Sequence, residues 1–140
     1  MHAIRATGYL LLAFSASQAG ASDFAISPDM SAGLGKYKWS IGIEGAAAVG
    51  NPPLYIARGH SYTFAVTTTS LHPFWIDASP GSGGTAPYSG TGLSANGAIS
   101  NTTLTFDVPD DAPEALYYAC GNHLEMHGTI NLVVFRDGFD

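Results

Sequence analysis

From Tyr37 onward, apolar and polar residues alternate along much of the chain. Tyr37, Trp39, Ile41 and Ile43 are interleaved with Lys38, Ser40 and Gly42, the two-residue period of a strand with one buried face. Leu54-Tyr55-Ile56-Ala57-Arg58 follows Pro52-Pro53, and Tyr62-Thr63-Phe64-Ala65-Val66-Thr67 follows a turn at Gly59-His60. Both runs are rich in aromatic and β-branched side chains, which suit a pleated surface. Phe74-Trp75-Ile76 and residues 102–108, 115–119 and 129–135 continue the series. Residues 44–49 are Ala-rich and form the one helix candidate, too short to stand alone. Between Ala78 and Ser100 no period survives among Gly81, Gly83, Gly84, Gly90, Gly92 and Gly97; loops of that length are usually functional or mobile. Seven to eight short strands punctuated by Gly and Pro predict an all-β domain, a β-sandwich with Greek-key connections.

The N-terminus breaks this pattern. Arg5 precedes the apolar run Tyr9-Leu10-Leu11-Leu12-Ala13-Phe14, and small residues then lead to Ala19-Gly20-Ala21. A charged start, a short apolar stretch and an A-x-A site predict a secretory signal peptide over 1–21. The run is shorter than the roughly 20 residues that cross a bilayer, and no stable membrane insertion is expected. Residues 22–140 then form a single exported domain, periplasmic or extracellular, with its core at about 36–136.

Composition acts by exclusion. Only 11% of the 140 residues are charged and 46% are hydrophobic, the reverse of a disordered chain. A formal charge of −6 argues against a nucleic-acid binder. The single cysteine, Cys120, excludes a disulfide scaffold. Thiols outside the cytoplasm usually pair, so a lone one points to intermolecular pairing, reactivity, metal ligation or plain burial.

The neighbours of Cys120 narrow that choice. Cys120, His123 and Met126 are spaced C-x2-H-x2-M on a short turn between two expected strands, and a second imidazole, His72, precedes Phe74-Trp75-Ile76. Two imidazoles, a thiolate and a weak thioether make up the ligand set of a trigonal copper site with a long axial Met. Plainer readings stand beside this one. Cys120 could be an inert core thiol, His72 a turn histidine and Met126 a gap filler. His127 is expected to be solvated, although it is the substitute nearest Met126. His60 is expected at the surface.

With those residues in view, the stretch 52–134 resembles a cupredoxin, the family of small blue copper proteins. The C-x2-H-x2-M spacing is similar to the short ligand loop of amicyanin-like members. The phrase Leu54-Tyr55-Ile56-Ala57-Arg58-Gly59-His60-Ser61-Tyr62-Thr63-Phe64 is similar to the family's paired strands around a glycine turn. The resemblance implies one type 1 copper ion held by His72, Cys120, His123 and axial Met126, in a monomer that carries single electrons and is not an enzyme. It also implies an electron port at the edge of His123, ringed by Leu124, Pro73 and Phe74, and a redox partner protein such as a basic cytochrome, a reductase or an oxidase. Pro73 follows the first His, where many members carry an Asn that braces the Cys loop; Asn122 is a candidate for part of that role. One cysteine excludes a binuclear copper centre, and five histidines are too few for a complete multicopper oxidase. Asp107, Asp110, Asp111 and Glu114 cluster near one turn, either merely solvated or steering a basic partner. Copper sequestration or delivery, and a metal-free interaction module, are the competing functions.

Overall fold

The computed structural model describes residues 11–12, 22–43 and 46–134. Of the segment read as a signal peptide, only Leu11–Leu12 falls within this range; the rest lies outside the described residues. The strands are β1 (Leu11–Leu12), β2 (Phe24–Asp29), β3 (Lys38–Ile43), β4 (Val49–Gly50), β5 (Leu54–Ala57), β6 (Ser61–Thr67), β7 (Phe74–Asp77), β8 (Leu93–Ser94), β9 (Asn101–Asp107), β10 (Ala115–Cys120) and β11 (His127–Val133). They form two mixed sheets, ordered β1-β5-β11-β10-β7 and β4-β3-β2-β6-β9-β8. The fold is all-β, and the expected strands from Trp39 to Val133 are present. No helix occurs among the described residues. Of the Ala-rich helix candidate, residues 44–45 lie outside the described residues and Val49–Gly50 is a strand pairing with β3.

The alternation does not mark β2, and β2 moves the start of the core from about residue 36 back to Phe24. Phe24 and Ile26 are buried, and Phe24 stacks on Phe64 of β6 at 4.8 Å between ring centroids. Pairing of β2 with β6 ends at Ile26, ahead of Pro28, which has no N–H to give a ladder.

Inward residues of both sheets meet in one core containing Trp39, Ile41, Leu54, Ile56, Phe64, Phe74, Leu104, Phe106, Tyr118 and Ile130. Trp39 of one sheet meets Phe74 of the other edge-on at 5.1 Å, a favoured aromatic geometry. The buried hydroxyl of Tyr118 donates to the Pro52 carbonyl at 2.6 Å. Tyr118 also explains Gly128 on the facing strand, because a Cβ there would collide with the Tyr118 hydroxyl.

The glycine-rich segment 78–100 covers the edge of β7. Phe74 and Ala98 exchange backbone hydrogen bonds at 2.9 Å in both directions. Asn96 copies a strand with its side chain, accepting from Ile76 N–H at 2.8 Å and donating to the Ile76 carbonyl at 2.9 Å. Buried Asp77 holds the segment from below, taking hydrogen bonds from the Ser82 hydroxyl and the Gly84 N–H. The glycines here leave room for Trp75, since a Cβ on Gly84 or Gly97 would lie within 2.7 Å of the indole. An edge strand with open N–H and C=O groups is a liability, and this segment removes it.

Tyr118→Phe strips the Pro52 carbonyl of a buried donor. The variant is expected to lose about 1–3 kcal/mol of stability in urea denaturation, the cost of stranding a buried polar group.

Candidate metal centre

β10 is hydrogen-bonded on both sides, with Cys120 opposite Phe74 of β7 and Ala119 opposite His127 of β11. Cys120 is its last residue and is fully buried. After it the chain turns tightly. Met126 N–H donates to the His123 carbonyl at 3.1 Å, and Cys120 N–H donates to the Met126 carbonyl at 2.9 Å. The turn thereby brings the Met126 backbone beside Cys120 and lifts His123 over the thiol. His72 arrives from the link between β6 and β7, where its N–H donates to the Thr69 carbonyl and its own carbonyl accepts the Thr68 hydroxyl at 2.8 Å.

Three donors converge here. Cys120 Sγ lies 3.8 Å from His72 Nδ1 and 3.7 Å from His123 Nδ1. The ligand atoms of His72, Cys120 and His123 all lie within 4.8 Å of one another. Metal–nitrogen and metal–sulfur bonds of about 2.0–2.3 Å at 120° separate nitrogen from sulfur by about 3.8 Å. The observed spacing of 3.7 and 3.8 Å leaves room for a metal ion held trigonally among the donors. The donor chemistry also fits, because a soft thiolate with two imidazoles suits copper or zinc better than a hard cation. Met126 is fully buried in the same core cluster. His127, by contrast, is exposed and turns its ring to the Leu124 carbonyl, outside the donor group.

Burial is the main electrostatic influence. It pushes the Cys120 thiol above its ordinary range, while N–H groups of Asn122 and His123 directed at the sulfur act the other way. It also holds the His72 imidazole below the usual range, helped by His123 beside it and opposed by Glu125. Both effects favour the neutral forms of the Cys120 thiol and the His72 imidazole.

The braces of the loop differ from the expected Asn after the first His. Pro73 contributes its carbonyl, which accepts Gly121 N–H at 3.0 Å, and Asn122 donates from Nδ2 to the Leu71 carbonyl at 2.9 Å. Two residues near the site carry no motif signal. The ring of Tyr37 packs 5.1 Å from His123 and 5.8 Å from His72, and Asn51 reaches the loop at Glu125. Phe74 does not join the expected apolar ring, because strand alternation turns it fully into the core. Leu124, expected there, is 64% exposed, and Leu71, which was not, is 67% exposed. The acidic residues Asp107, Asp110, Asp111 and Glu114 lie around the entrance to β10, the opposite end from Cys120.

A raised thiol makes metal binding proton-linked. A metal must displace the thiol proton at any pH below the raised thiol range, so affinity rises with pH in that window. Chelator competition with Co2+ between pH 7 and pH 8.5 is expected to show affinity climbing about tenfold per pH unit. A flat profile would mean that the thiol is already ionised.

No protein-family model matches the chain, and no curated protein sequence matches it. Solved structures do. The copper protein rusticyanin aligns over 91% of this chain and 80% of its own at 18% identity, with a TM-score of 0.52. Reduced rusticyanin aligns over 91% and 82% at 16% identity, with a TM-score of 0.50. A variant of the multicopper oxidase McoA from Aquifex aeolicus aligns over 89% of this chain at 14% identity and a TM-score of 0.50, and the match spans only 28% of that oxidase. The fold of this chain is that of the cupredoxins.

Proposed function

We propose that the chain is an exported mononuclear copper protein that carries single electrons between redox partners, with His72, Cys120 and His123 as ligands and Met126 as a weak axial fourth. The observation that carries this reading is a buried thiol flanked at 3.7 and 3.8 Å by two imidazole nitrogens, at the end of a strand paired on both sides. Copper held there supplies a one-electron couple. The protein's part is to keep the donors fixed in both oxidation states, so that little reorganisation accompanies transfer. Three features serve that end: the doubly paired β10, the Gly121–Pro73 backbone bond and the Asn122–Leu71 bond. The Tyr37 ring shields the imidazoles from one side.

His123 is half-buried, its chain neighbour Leu124 is exposed, and so is Leu71, whose carbonyl is bonded by Asn122 of the same loop. We assign this apolar rim to contact with a redox partner protein, where water is excluded as the surfaces meet. The acidic turn lies at the other end of the domain and is assigned to solvation rather than docking. An electron carrier needs no open coordination position, and the reading is of a carrier and not an enzyme. No helix among the described residues is long and apolar enough to cross a membrane.

Addition of Cu2+ to the purified protein is expected to give an intense thiolate-to-copper visible band and a narrow copper hyperfine splitting in EPR. Cys120→Ser should abolish both. At a free copper concentration of a hundred times Kd, binding should add about 2.7 kcal/mol of stability, absent in the variant. A colourless protein with ordinary tetragonal Cu2+ overturns the reading. Slow electron self-exchange with ready loss of metal to chelators would instead mark a copper store or delivery protein. Unchanged stability and activity in Cys120→Ser would mark a metal-free interaction module.

A further inference from the structure

Asn51 sits at the corner between β4 and β5 in a left-handed conformation, φ +46°. Such a conformation is costly for a residue with a Cβ, and a residue followed by proline is normally driven to an extended one. Three hydrogen bonds hold it there. Its N–H donates to the Trp39 carbonyl at 2.7 Å, its Oδ1 accepts Trp39 N–H at 2.8 Å, and its Nδ2 donates to the Glu125 carbonyl at 3.0 Å. The first two bonds fasten the corner to β3. The third leaves the corner and crosses to the loop between Cys120 and His127. The next residue, Pro52, is fastened in turn by the Tyr118 hydroxyl, so the corner is anchored to the core on both sides.

The Glu125 carbonyl belongs to the peptide unit that carries the Met126 N–H, and that N–H donates to the His123 carbonyl. One peptide plane is therefore pinned at both ends, by Asn51 on its oxygen and by His123 on its nitrogen. Rotation of this plane would swing the Met126 Cα and redirect the thioether. The other arm of the loop has its own supports in Pro73 and Leu71, neither of which touches the Met126 side. We propose that Asn51 is a positioning residue for Met126, fixing the axial side of the metal site from outside the ligand loop. The proposal rests on the copper reading above for its consequence, because an axial ligand tunes the potential of such a site and outer partners orient ligands.

Two substitutions separate the roles of Asn51. Asn51→Gly suits the positive φ and removes both side-chain bonds. Asn51→Asp keeps an acceptor for Trp39 N–H and removes the donor to Glu125. In copper-loaded protein both are expected to retain the thiolate-to-copper band while shifting the reduction potential and the EPR signal. In metal-free protein, amide hydrogen exchange at Met126 should be about five times faster, the factor that corresponds to one hydrogen bond of ordinary net strength. Loss of thermal stability alone, with potential, EPR signal and Met126 exchange as in the parent, would reduce Asn51 to a structural corner and overturn the proposal. An unchanged potential in the loaded variants overturns it as well. Should the parent fail to bind copper, the copper reading falls and Met126 exchange alone decides whether Asn51 holds that arm: faster exchange supports the brace, and parent-like exchange overturns it.

Discussion

The metal end of this domain depends on the double pairing of β10. A strand bonded on one side can twist or fray at its tip, but Cys120 is the tip of a strand held by β7 and by β11 at once. Burial then removes water from the sulfur, and the two imidazoles close on it from opposite links. His72 comes from the link before β7 and His123 from the turn after β10. His72 could not reach the thiol if the register between β7 and β10 slipped by one residue, since a slip would exchange the inward Phe74 for Trp75 and turn His72 away. The aromatic core sets that register. Phe74 meets Trp39 edge-on and stacks near Tyr118 at 5.9 Å, so packing between the sheets fixes where the donors fall.

Much of this was legible in the sequence, for physical reasons. The strands from Trp39 to Val133 show because their inward positions are large aromatic and β-branched residues at a strict period of two. β2 is hidden because its alternation is short and contains Pro28, whose cost is avoided only by the extent of its pairing with β6. β4 and β8 are two residues long and carry no period at all. The donors show because Cys120, His123 and Met126 are close in sequence, and a turn of that length must gather them.

Other parts of the site could not be read that way. Asn51 meets Glu125 across 74 positions through a bond from side chain to backbone, and such a bond leaves no trace in residue type on the receiving side. Tyr37 fits the strand alternation that continues through Trp39, yet its ring, partly buried against the core, also packs on both imidazoles, which the alternation does not announce. Phe74 was expected at the rim through nearness in sequence to His72, whereas its place on the inward face of β7 outweighs that nearness. The glycine-rich segment carries no periodic signal because its bonds to β7 are made by isolated N–H groups, two single bridges and one amide side chain.

That cover over β7 has a consequence for the life of the chain before any metal arrives. β7 borders the strand that carries the buried thiol, and an uncovered edge there would invite a second copy to add its own strand, pulling on the pairing that sets Phe74 opposite Cys120. Asn96 and Ala98 already occupy the bonding positions on that edge. The folded chain thus leaves a neighbour no bonding positions at Phe74 and Ile76, where an added strand would disturb the donors.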